Sequence, residues 1–323
     1  MTRIGLVSDV HWRTHAPAVE SGWHGVGAGA AAASAGWHGT GSELTGALER
    51  LEGALARFAE HDVELIVLAG DLTHHGELGS LVEVLATCAR ASAPVLVVSG
   101  NHDVDGDGDR LVRAHALVTA HGRAAGRVRL ADPAGELHGG LLVAGVHVGA
   151  THGWFGARLR ELPDAAAWGQ EPLVLLSHYP ALSLATAVCD EGFPYPGDLR
   201  DRRELAALLG ARRAPTLVLG GHVHARASRA EGPVLQLTGG SLVEPPYECA
   251  LIDVEAPAHG LLAVTRECLR LREPDGPREP VLAPEREAWL FDGLQWRTTD
   301  RGADDEAEQR QDPHDPRRQP AAT

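Results

Sequence analysis

The chain has 323 residues, of which 44% are hydrophobic, so it can bury a substantial core as one large domain or two small ones. Its formal net charge is −15, and all 29 basic residues are arginine. This acidic balance argues weakly against a duplex nucleic-acid partner, because such binding depends on a basic face that neutralises phosphates. A nucleic-acid partner is therefore not expected.

The four cysteines are scattered and form no CxxC or other metal-like spacing, which is typical of reduced thiols. No charged-then-apolar signal segment precedes the first strand-like run, and no apolar stretch is long enough to span a bilayer. These features predict a cytoplasmic protein without a membrane partner.

Eight short aliphatic runs, many of them β-branched, have the composition of buried strands. Several of these runs are separated by stretches with helical periodicity, namely 43–60, 78–89 and 205–209. Thr40 and Glu43 would cap the first of these helices. Strands and helices alternate early, and strands dominate from Val234, which indicates an α/β protein with two packed sheets. The strand-like runs are 4–7, 65–69, 95–98, 141–146, 173–176, 216–219, 234–238 and 250–254.

The composition predicts one domain over 1–295, interrupted by a Gly/Ala-rich loop insertion at 16–41 that contains Gly-Trp-His-Gly twice. This insertion is either a flap whose Trp23 and Trp37 stack on a substrate base, or a solvated loop without a role. Residues 298–323 are rich in charged residues and proline, so we expect a disordered tail.

Five polar clusters follow strand-like runs directly. A lone histidine after a strand is more often structural than a ligand, but five ordered clusters reverse that expectation. Because ligands gather beyond the carboxyl ends of strands in sheets of this class, we expect the clusters to converge. They are Asp9-x-His11, Gly70-Asp71, Gly100-Asn101-His102-Asp103, His178 and Gly221-His222-x-His224.

Together these clusters offer two carboxylates, one carboxamide and four imidazoles as metal ligands, with His102 left over for proton transfer. A mixed nitrogen and oxygen donor set without thiolates suits Mn²⁺, Fe²⁺ or Zn²⁺. Two such ions about 3.5–4 Å apart can share a hydroxide nucleophile and bind the phosphoryl oxygens during in-line displacement. The pattern therefore predicts a two-metal hydrolase of phosphate esters.

The order D-x-H, GD, GNH(D/E), H, GHxH, complete from Asp9 to His224, resembles the calcineurin-like metallophosphoesterases. In motif form it is most similar to the class III cyclic-nucleotide phosphodiesterase branch. The resemblance implies a four-layer α-β-β-α sandwich of two mixed sheets with a dinuclear metal site at its edge. It allows a homodimer, although no segment of the sequence marks an interface.

The same resemblance implies a role for each matching residue. His102 would face the scissile phosphate as proton donor, a contribution typically worth roughly 10²–10⁴-fold, with Asp103 as its orienting partner. His74 and His75 match no ligand position, and we expect both to be exposed loop residues. The first metal would take Asp9, His11 and His224, the second Asn101, His178 and His222, and Asp71 would bridge the two.

The predicted function is metal-dependent hydrolysis of a small phosphodiester, such as a nucleotide or a glycerophosphodiester. One alternative is a DNA or RNA nuclease of the same superfamily, which the negative charge and the absence of a basic or aromatic strand-binding stretch disfavour. The other is a non-catalytic scaffold. It is disfavoured because all seven predicted ligands and His102 are present.

Overall fold

The structure is a computed structural model, and it describes residues 1–13, 46–104, 110–122, 126–151, 154–164, 167–193, 195–256, 261–271 and 282–299. Within these residues two large β-sheets are flanked by helices. The helices are α1 (Ala47–Glu60), α2 (Leu78–Cys88), α3 (Arg110–Ala120), α4 (Ala185–Asp190) and α5 (Arg202–Gly210), with a 3₁₀ turn at Leu159–Glu161.

The first sheet has eight strands in the order β16-β15-β14-β13-β1-β2-β3-β4. Strands β1 to β4 run parallel, and β13 to β16 extend the sheet in antiparallel fashion from the other edge of β1. The strands are β1 (Thr2–Val7), β2 (Leu65–Ala69), β3 (Val95–Val98), β4 (Val128–Leu130), β13 (Glu248–Glu255), β14 (Leu262–Arg270), β15 (Arg286–Phe291) and β16 (Trp296–Thr298).

The second sheet has six strands in the order β11-β12-β10-β9-β6-β5, with parallel pairing from β12 to β6 and an antiparallel strand at each edge. A separate hairpin pairs β7 with β8. The strands are β5 (Glu136–His138), β6 (Leu141–Val146), β7 (Val148–Thr151), β8 (Trp154–Ala157), β9 (Leu173–Ser177), β10 (Thr216–Gly220), β11 (Ala227–Glu231) and β12 (Val234–Thr238).

Strand alternation sorts the core into layers, because successive side chains point to opposite faces of a sheet. Ile4 and Leu6 of β1 pack between the two sheets against residues such as Leu176 and Leu219. On the outer face of the first sheet lie α1, α2 and α3, and on the outer face of the second sheet lies α5. This arrangement is the expected four-layer α-β-β-α sandwich of two mixed sheets.

All eight predicted strands are confirmed, and the strand-rich character after Val234 is also correct. Edge strands with polar or short sequences, such as β5 and β11, were not predicted. The described part of α1 begins at Ala47, while the proposed cap at Thr40 and Glu43 and the insertion at 16–41 lie outside the described residues.

At the other end of the chain, the composition assigned Thr298 to the tail, yet this residue pairs with Trp289 at the edge of the first sheet. Residues 300–323, the remainder of the predicted tail apart from Thr299, lie outside the described residues. No helix in the described part of the chain is long and apolar enough to cross a membrane.

Candidate metal centre

The predicted ligands lie on loops at the carboxyl ends of parallel strands from both sheets. The loop after β1 is joined to the loop after β2, since Asp9 N donates to Gly70 O at 3.2 Å and His11 N donates to Asp71 O at 2.9 Å. In the second sheet, Gly221 N donates to the His178 carbonyl at 3.0 Å. Between the sheets, His222 N donates to Asp9 Oδ1 at 3.1 Å, so the motif loops meet at one edge of the sandwich.

One half of the site contains Asp9, His11 and His224, all buried, together with Asp71. His11 Nε2 lies 3.2 Å from His224 Nε2 and 3.6 Å from Asp71 Oδ2. His224 Nε2 is also 3.4 Å from Asp9 Oδ1. Ligand atoms of these four residues all lie within 4.8 Å of one another, so they can surround a single ion. We call this group the first-metal half.

The other half contains Asn101, His178 and His222, again beside Asp71. His178 Nε2 lies 3.1 Å from Asn101 Oδ1 and 3.2 Å from Asp71 Oδ2. The His222 ring packs 5.2 Å from the His178 ring, measured between centroids. Asp71 therefore lies next to ligands of both halves, where a bridging carboxylate would have to be. We call this group the second-metal half.

Five of the predicted ligands have left-handed backbone conformations: Asp9, His11, Asp71, His222 and His224 have φ between 49° and 70°. Such conformations are uncommon for residues other than glycine and cost roughly 1–3 kcal/mol each. They are retained where the surrounding structure enforces them, which happens most often at functional sites. The strained residues here are the ones that turn the strand ends toward the shared site.

The glycines of two motifs allow the backbone to approach the acidic ligands. A Cβ on Gly100 would lie 2.1 Å from Asp71 Oδ1, and a Cβ on Gly221 would lie 2.6 Å from Asp9 Oδ2. Because the backbone lies this close to Asp9, His222 N donates hydrogen bonds to both Asp9 carboxylate oxygens, at 3.1 and 3.2 Å. Glycine is therefore required beside each carboxylate for steric reasons.

The pKa values divide the imidazoles into two kinds. Burial, together with the neighbouring His178, lowers the pKa of His222 to about 3, and burial also holds the pKa of His11 well below its usual range. Burial disfavours a charge on His178 too, but the Asp71 carboxylate overrides it and raises the pKa of His178 to about 9. Asp9 likewise outweighs burial at His224 and raises its pKa.

This donor set suits divalent cations. Two nitrogen atoms, His11 Nε2 and His224 Nε2, face each other at 3.2 Å, and two carboxylates lie buried among them. Closely packed buried donors of this kind need positive charge between them, because buried charges are costly unless they are paired or coordinate metals. Oxygen and imidazole donors without thiolates match borderline divalent ions.

His102 lies beside the first-metal half, half-buried, with its ring centroid 4.7 Å from that of His11. Its backbone N donates to Asp71 Oδ1 at 2.9 Å. Its Nδ1 lies 2.7 Å from the His74 carbonyl oxygen, which makes Nδ1 the protonated nitrogen and Nε2 the second donor or acceptor of the ring.

Asp103 does not have the expected role of direct partner to His102. Its carboxylate accepts hydrogen bonds from the backbone N of Leu72, Thr73 and Gly100 at 2.9–3.1 Å, and from Thr73 Oγ1 at 3.3 Å. Asp103 is completely buried and joins the loop after β2 to the loop after β3. It fixes both the loop that carries His74 and the loop that carries His102.

The sequence analysis misjudged one residue near the ligands, His74, and missed another, Glu244. His75 is exposed as expected, but the same expectation is wrong for His74, which is half-buried with Nδ1 3.4 Å from His11 Nδ1. Glu244, on the loop after β12, places Oε2 3.3 Å from His224 Nδ1. The doubled histidine after Gly-Asp-Leu-Thr was a visible signal for His74, whereas no motif pointed to Glu244.

Comparisons with solved structures give matches at low sequence identity. A dimetal phosphatase from Danio rerio is 13% identical, with a TM-score of 0.47, over 84% of this chain and 97% of its own. A purple acid phosphatase from yellow lupin seeds is 14% identical, with a TM-score of 0.41, over 90% and 53%. The phosphopantetheinyl hydrolase of Mycobacterium tuberculosis is 13% identical, with a TM-score of 0.37, over 74% and 90%.

A search of curated protein sequences finds no match. The sequence model of the calcineurin-like phosphoesterase family, in contrast, matches residues 2–226, which include every predicted ligand. Members of this family act with two divalent metal ions. The ligand atoms of the first-metal half lie within 4.8 Å of one another, and Asn101 and His178 meet beside Asp71, which agrees with that requirement. The chain belongs to the calcineurin-like phosphoesterases and is a metal-dependent phosphoesterase.

Proposed function

We propose that this phosphoesterase hydrolyses a small phosphodiester, such as a nucleotide or a glycerophosphodiester, and that His102 donates a proton to the leaving oxygen. The observation that carries the proposal is the position of His102 beside the first-metal half, with Nδ1 held by the His74 carbonyl at 2.7 Å. The motif form, similar to the cyclic-nucleotide phosphodiesterase branch, supports a diester as substrate.

Each predicted ligand side chain would bind one ion, except Asp71, which would bind both. Asp9, His11 and His224 would hold the first ion, Asn101, His178 and His222 the second, and Asp71 both. Two bound ions would acidify the attacking water and neutralise charge on the phosphoryl oxygens. The nitrogen and oxygen donor set favours Mn²⁺, Fe²⁺ or Zn²⁺.

His102 would act where the P–O bond to the leaving group breaks. An alcohol leaves a diester poorly as an alkoxide, so proton donation from an imidazolium lowers the barrier. The bond from Nδ1 to a backbone carbonyl fixes the ring and leaves Nε2 as the nitrogen that can deliver the proton. The hydrogen bond from the His102 backbone N to Asp71 Oδ1 holds this residue next to the carboxylate that would bridge the ions.

A direct test compares bis-p-nitrophenyl phosphate with p-nitrophenyl phosphate as substrates of protein stripped of metal and then supplied with Mn²⁺, Zn²⁺ or Fe²⁺. We expect metal-dependent hydrolysis with a higher kcat/KM for the diester. A higher kcat/KM for the monoester with every metal would contradict the diester assignment.

The role of His102 has a separate test in the dependence of rate on the leaving group. His102→Ala should slow the release of an alkyl alcohol by roughly 10²–10⁴-fold and the release of p-nitrophenol much less, because p-nitrophenol leaves without a proton. His75→Ala is the matched control, since His75 is an exposed histidine of the same neighbourhood. Equal slowing of both leaving groups by His102→Ala would rule out proton donation.

A further inference from the structure

The two halves of the metal centre differ in what orients their histidines. In the second-metal half, backbone carbonyls hold the outer ring nitrogens: His178 Nδ1 lies 2.8 Å from Ala69 O, and His222 Nε2 lies 3.1 Å from Gly197 O. A backbone acceptor fixes the tautomer and leaves the other ring nitrogen as the ligand atom. No side-chain substitution can delete these acceptors.

In the first-metal half, both outer nitrogens face side chains instead. His11 Nδ1 lies 3.4 Å from His74 Nδ1, and His224 Nδ1 lies 3.3 Å from Glu244 Oε2. Glu244 is 12% exposed at its side chain, so its charge is only weakly screened by solvent. Each of these contacts leaves Nε2 of the ligand histidine directed at the shared cluster, where the two Nε2 atoms are 3.2 Å apart.

Both side-chain partners are themselves held in place. The loop carrying His74 is fixed by Asp103, which binds Thr73 N at 3.0 Å, and by Thr73 Oγ1, which accepts from Gly76 N at 2.9 Å. The loop carrying Glu244 is fixed by Ser241 Oγ, which accepts from Glu244 N at 3.3 Å. Partners held in this way can impose an orientation on the rings that they contact.

We propose that His74 and Glu244 are positioning residues for the first metal ion, whose histidines have side chains beside their outer ring nitrogens where those of the second-metal half have backbone carbonyls. Glu244 would fix the ring of His224 and increase the electron density at its Nε2, as a carboxylate does in carboxylate–histidine–metal arrangements. His74 would accept the proton of His11 Nδ1 and keep Nε2 of His11 available to the ion. The proposal rests on the two-ion assignment and not on the choice of substrate.

The test measures Mn²⁺ binding by calorimetry, and bound metal per chain by mass spectrometry, in the full-length protein. Glu244→Gln keeps the shape of the side chain and removes its charge, and His74→Ala removes the imidazole. Each substitution should weaken the binding of one of the two ions by about 10–100-fold, the usual effect of losing the residue that orients a ligand histidine. The other ion should bind as in the wild type. His74→Gln, whose side-chain oxygen can accept from His11 Nδ1, should recover most of the loss. His121→Ala, at an exposed histidine just after α3, should change nothing.

Asn101→Ala provides the reference that identifies the affected ion, because Asn101 belongs to the second-metal half. Glu244→Gln and Asn101→Ala should weaken the binding of different ions, so the double variant should bind neither ion tightly. Wild-type binding of both ions by Glu244→Gln and His74→Ala would overturn the proposal. So would equal weakening of both ions, or failure of His74→Gln to improve on His74→Ala.

Because these readouts are metal binding, they are separable from the substrate proposal. A failure to hydrolyse diesters would leave the binding result intact. Normal diester hydrolysis, in contrast, would not rescue the proposal if both variants bound two ions with wild-type affinity.

Discussion

The two sheets contribute different chemistry to the metal centre. Every predicted oxygen ligand, namely Asp9, Asp71 and Asn101, follows a strand of the first sheet, whereas the predicted ligands His178, His222 and His224 follow strands of the second. His11 is the one ligand imidazole on the side of the first sheet. With the predicted assignment, each ion would be bound across both sheets, so metal binding would depend on the relative position in which the sheets pack.

A buried ion pair also crosses between the sheets, close to the first-metal half. Arg226, two residues after His224, places Nη1 2.6 Å from Oε2 of Glu248 at the start of β13. Both side chains are buried, and Arg226 Nε also donates to Ala283 O at 2.9 Å. The apolar middle layer, this ion pair and the predicted metal ions would therefore all stabilise the packing of the two sheets against each other.

The bridging carboxylate should be the position where substitution does most damage, because it serves both halves. Asp71→Asn should weaken both ions by more than the roughly 10–100-fold expected for an outer partner, and should abolish hydrolysis at ordinary metal concentrations. Metal titration followed by bis-p-nitrophenyl phosphate turnover measures both effects. Asp253→Asn, a carboxylate paired with Arg3 away from the site, is the matched control. Loss of only one ion in Asp71→Asn would show that Asp71 does not bridge.

Breaking the buried ion pair should destabilise the junction of the sheets. Arg226→Met leaves Glu248 buried without its partner, which should lower the free energy of unfolding by about 3–5 kcal/mol in urea denaturation. The exposed pair of Arg90 and Glu52 offers a control, and Arg90→Met should cost at most about 1 kcal/mol. Equal, small costs for the two substitutions would mean that the Arg226–Glu248 pair does not stabilise the interface.

Metal binding should stabilise the fold by an amount that depends on concentration. A ligand that binds only the folded state adds about 2.7 kcal/mol per site at 100 times its Kd. Thermal unfolding with increasing Mn²⁺ should therefore raise Tm in the wild type, and raise it less in Glu244→Gln at the same concentration. An unchanged Tm at saturating Mn²⁺ would contradict the idea that the ions join the two sheets.

The motif glycines offer the most local perturbation. Gly100→Ala pushes a methyl group against Asp71 and should weaken both ions, whereas Gly221→Ala presses on Asp9 and should weaken the first ion most. Each should also cost about 1–3 kcal/mol of stability through overpacking. Gly79→Ala, where a Cβ meets nothing within 4 Å, is the control. Identical metal-binding profiles for Gly100→Ala and Gly221→Ala would contradict the assignment of their neighbouring carboxylates to different halves.

The sequence could place the candidate ligands at one edge of the sheets because each cluster directly follows a strand with a clear aliphatic pattern. It could not predict Glu244, which lies on an irregular loop after β12 and reaches His224 only through tertiary packing. It placed Asp103 beside His102 because the two are neighbours in the motif, yet the carboxylate turns toward the backbone of Leu72 and Thr73. His74 was misjudged because nothing in local periodicity reports that its loop folds back onto His11.

Diffraction from crystals of the Mn²⁺-loaded protein, with anomalous scattering at the manganese edge, tests the central claim most directly. The account predicts two anomalous peaks about 3.5–4 Å apart on either side of the Asp71 carboxylate, one among Asp9, His11 and His224 and the other among Asn101, His178 and His222. A single peak would contradict it. So would a peak in the neighbouring group of His11, His74 and His102, whose ligand atoms also lie within 4.8 Å of one another.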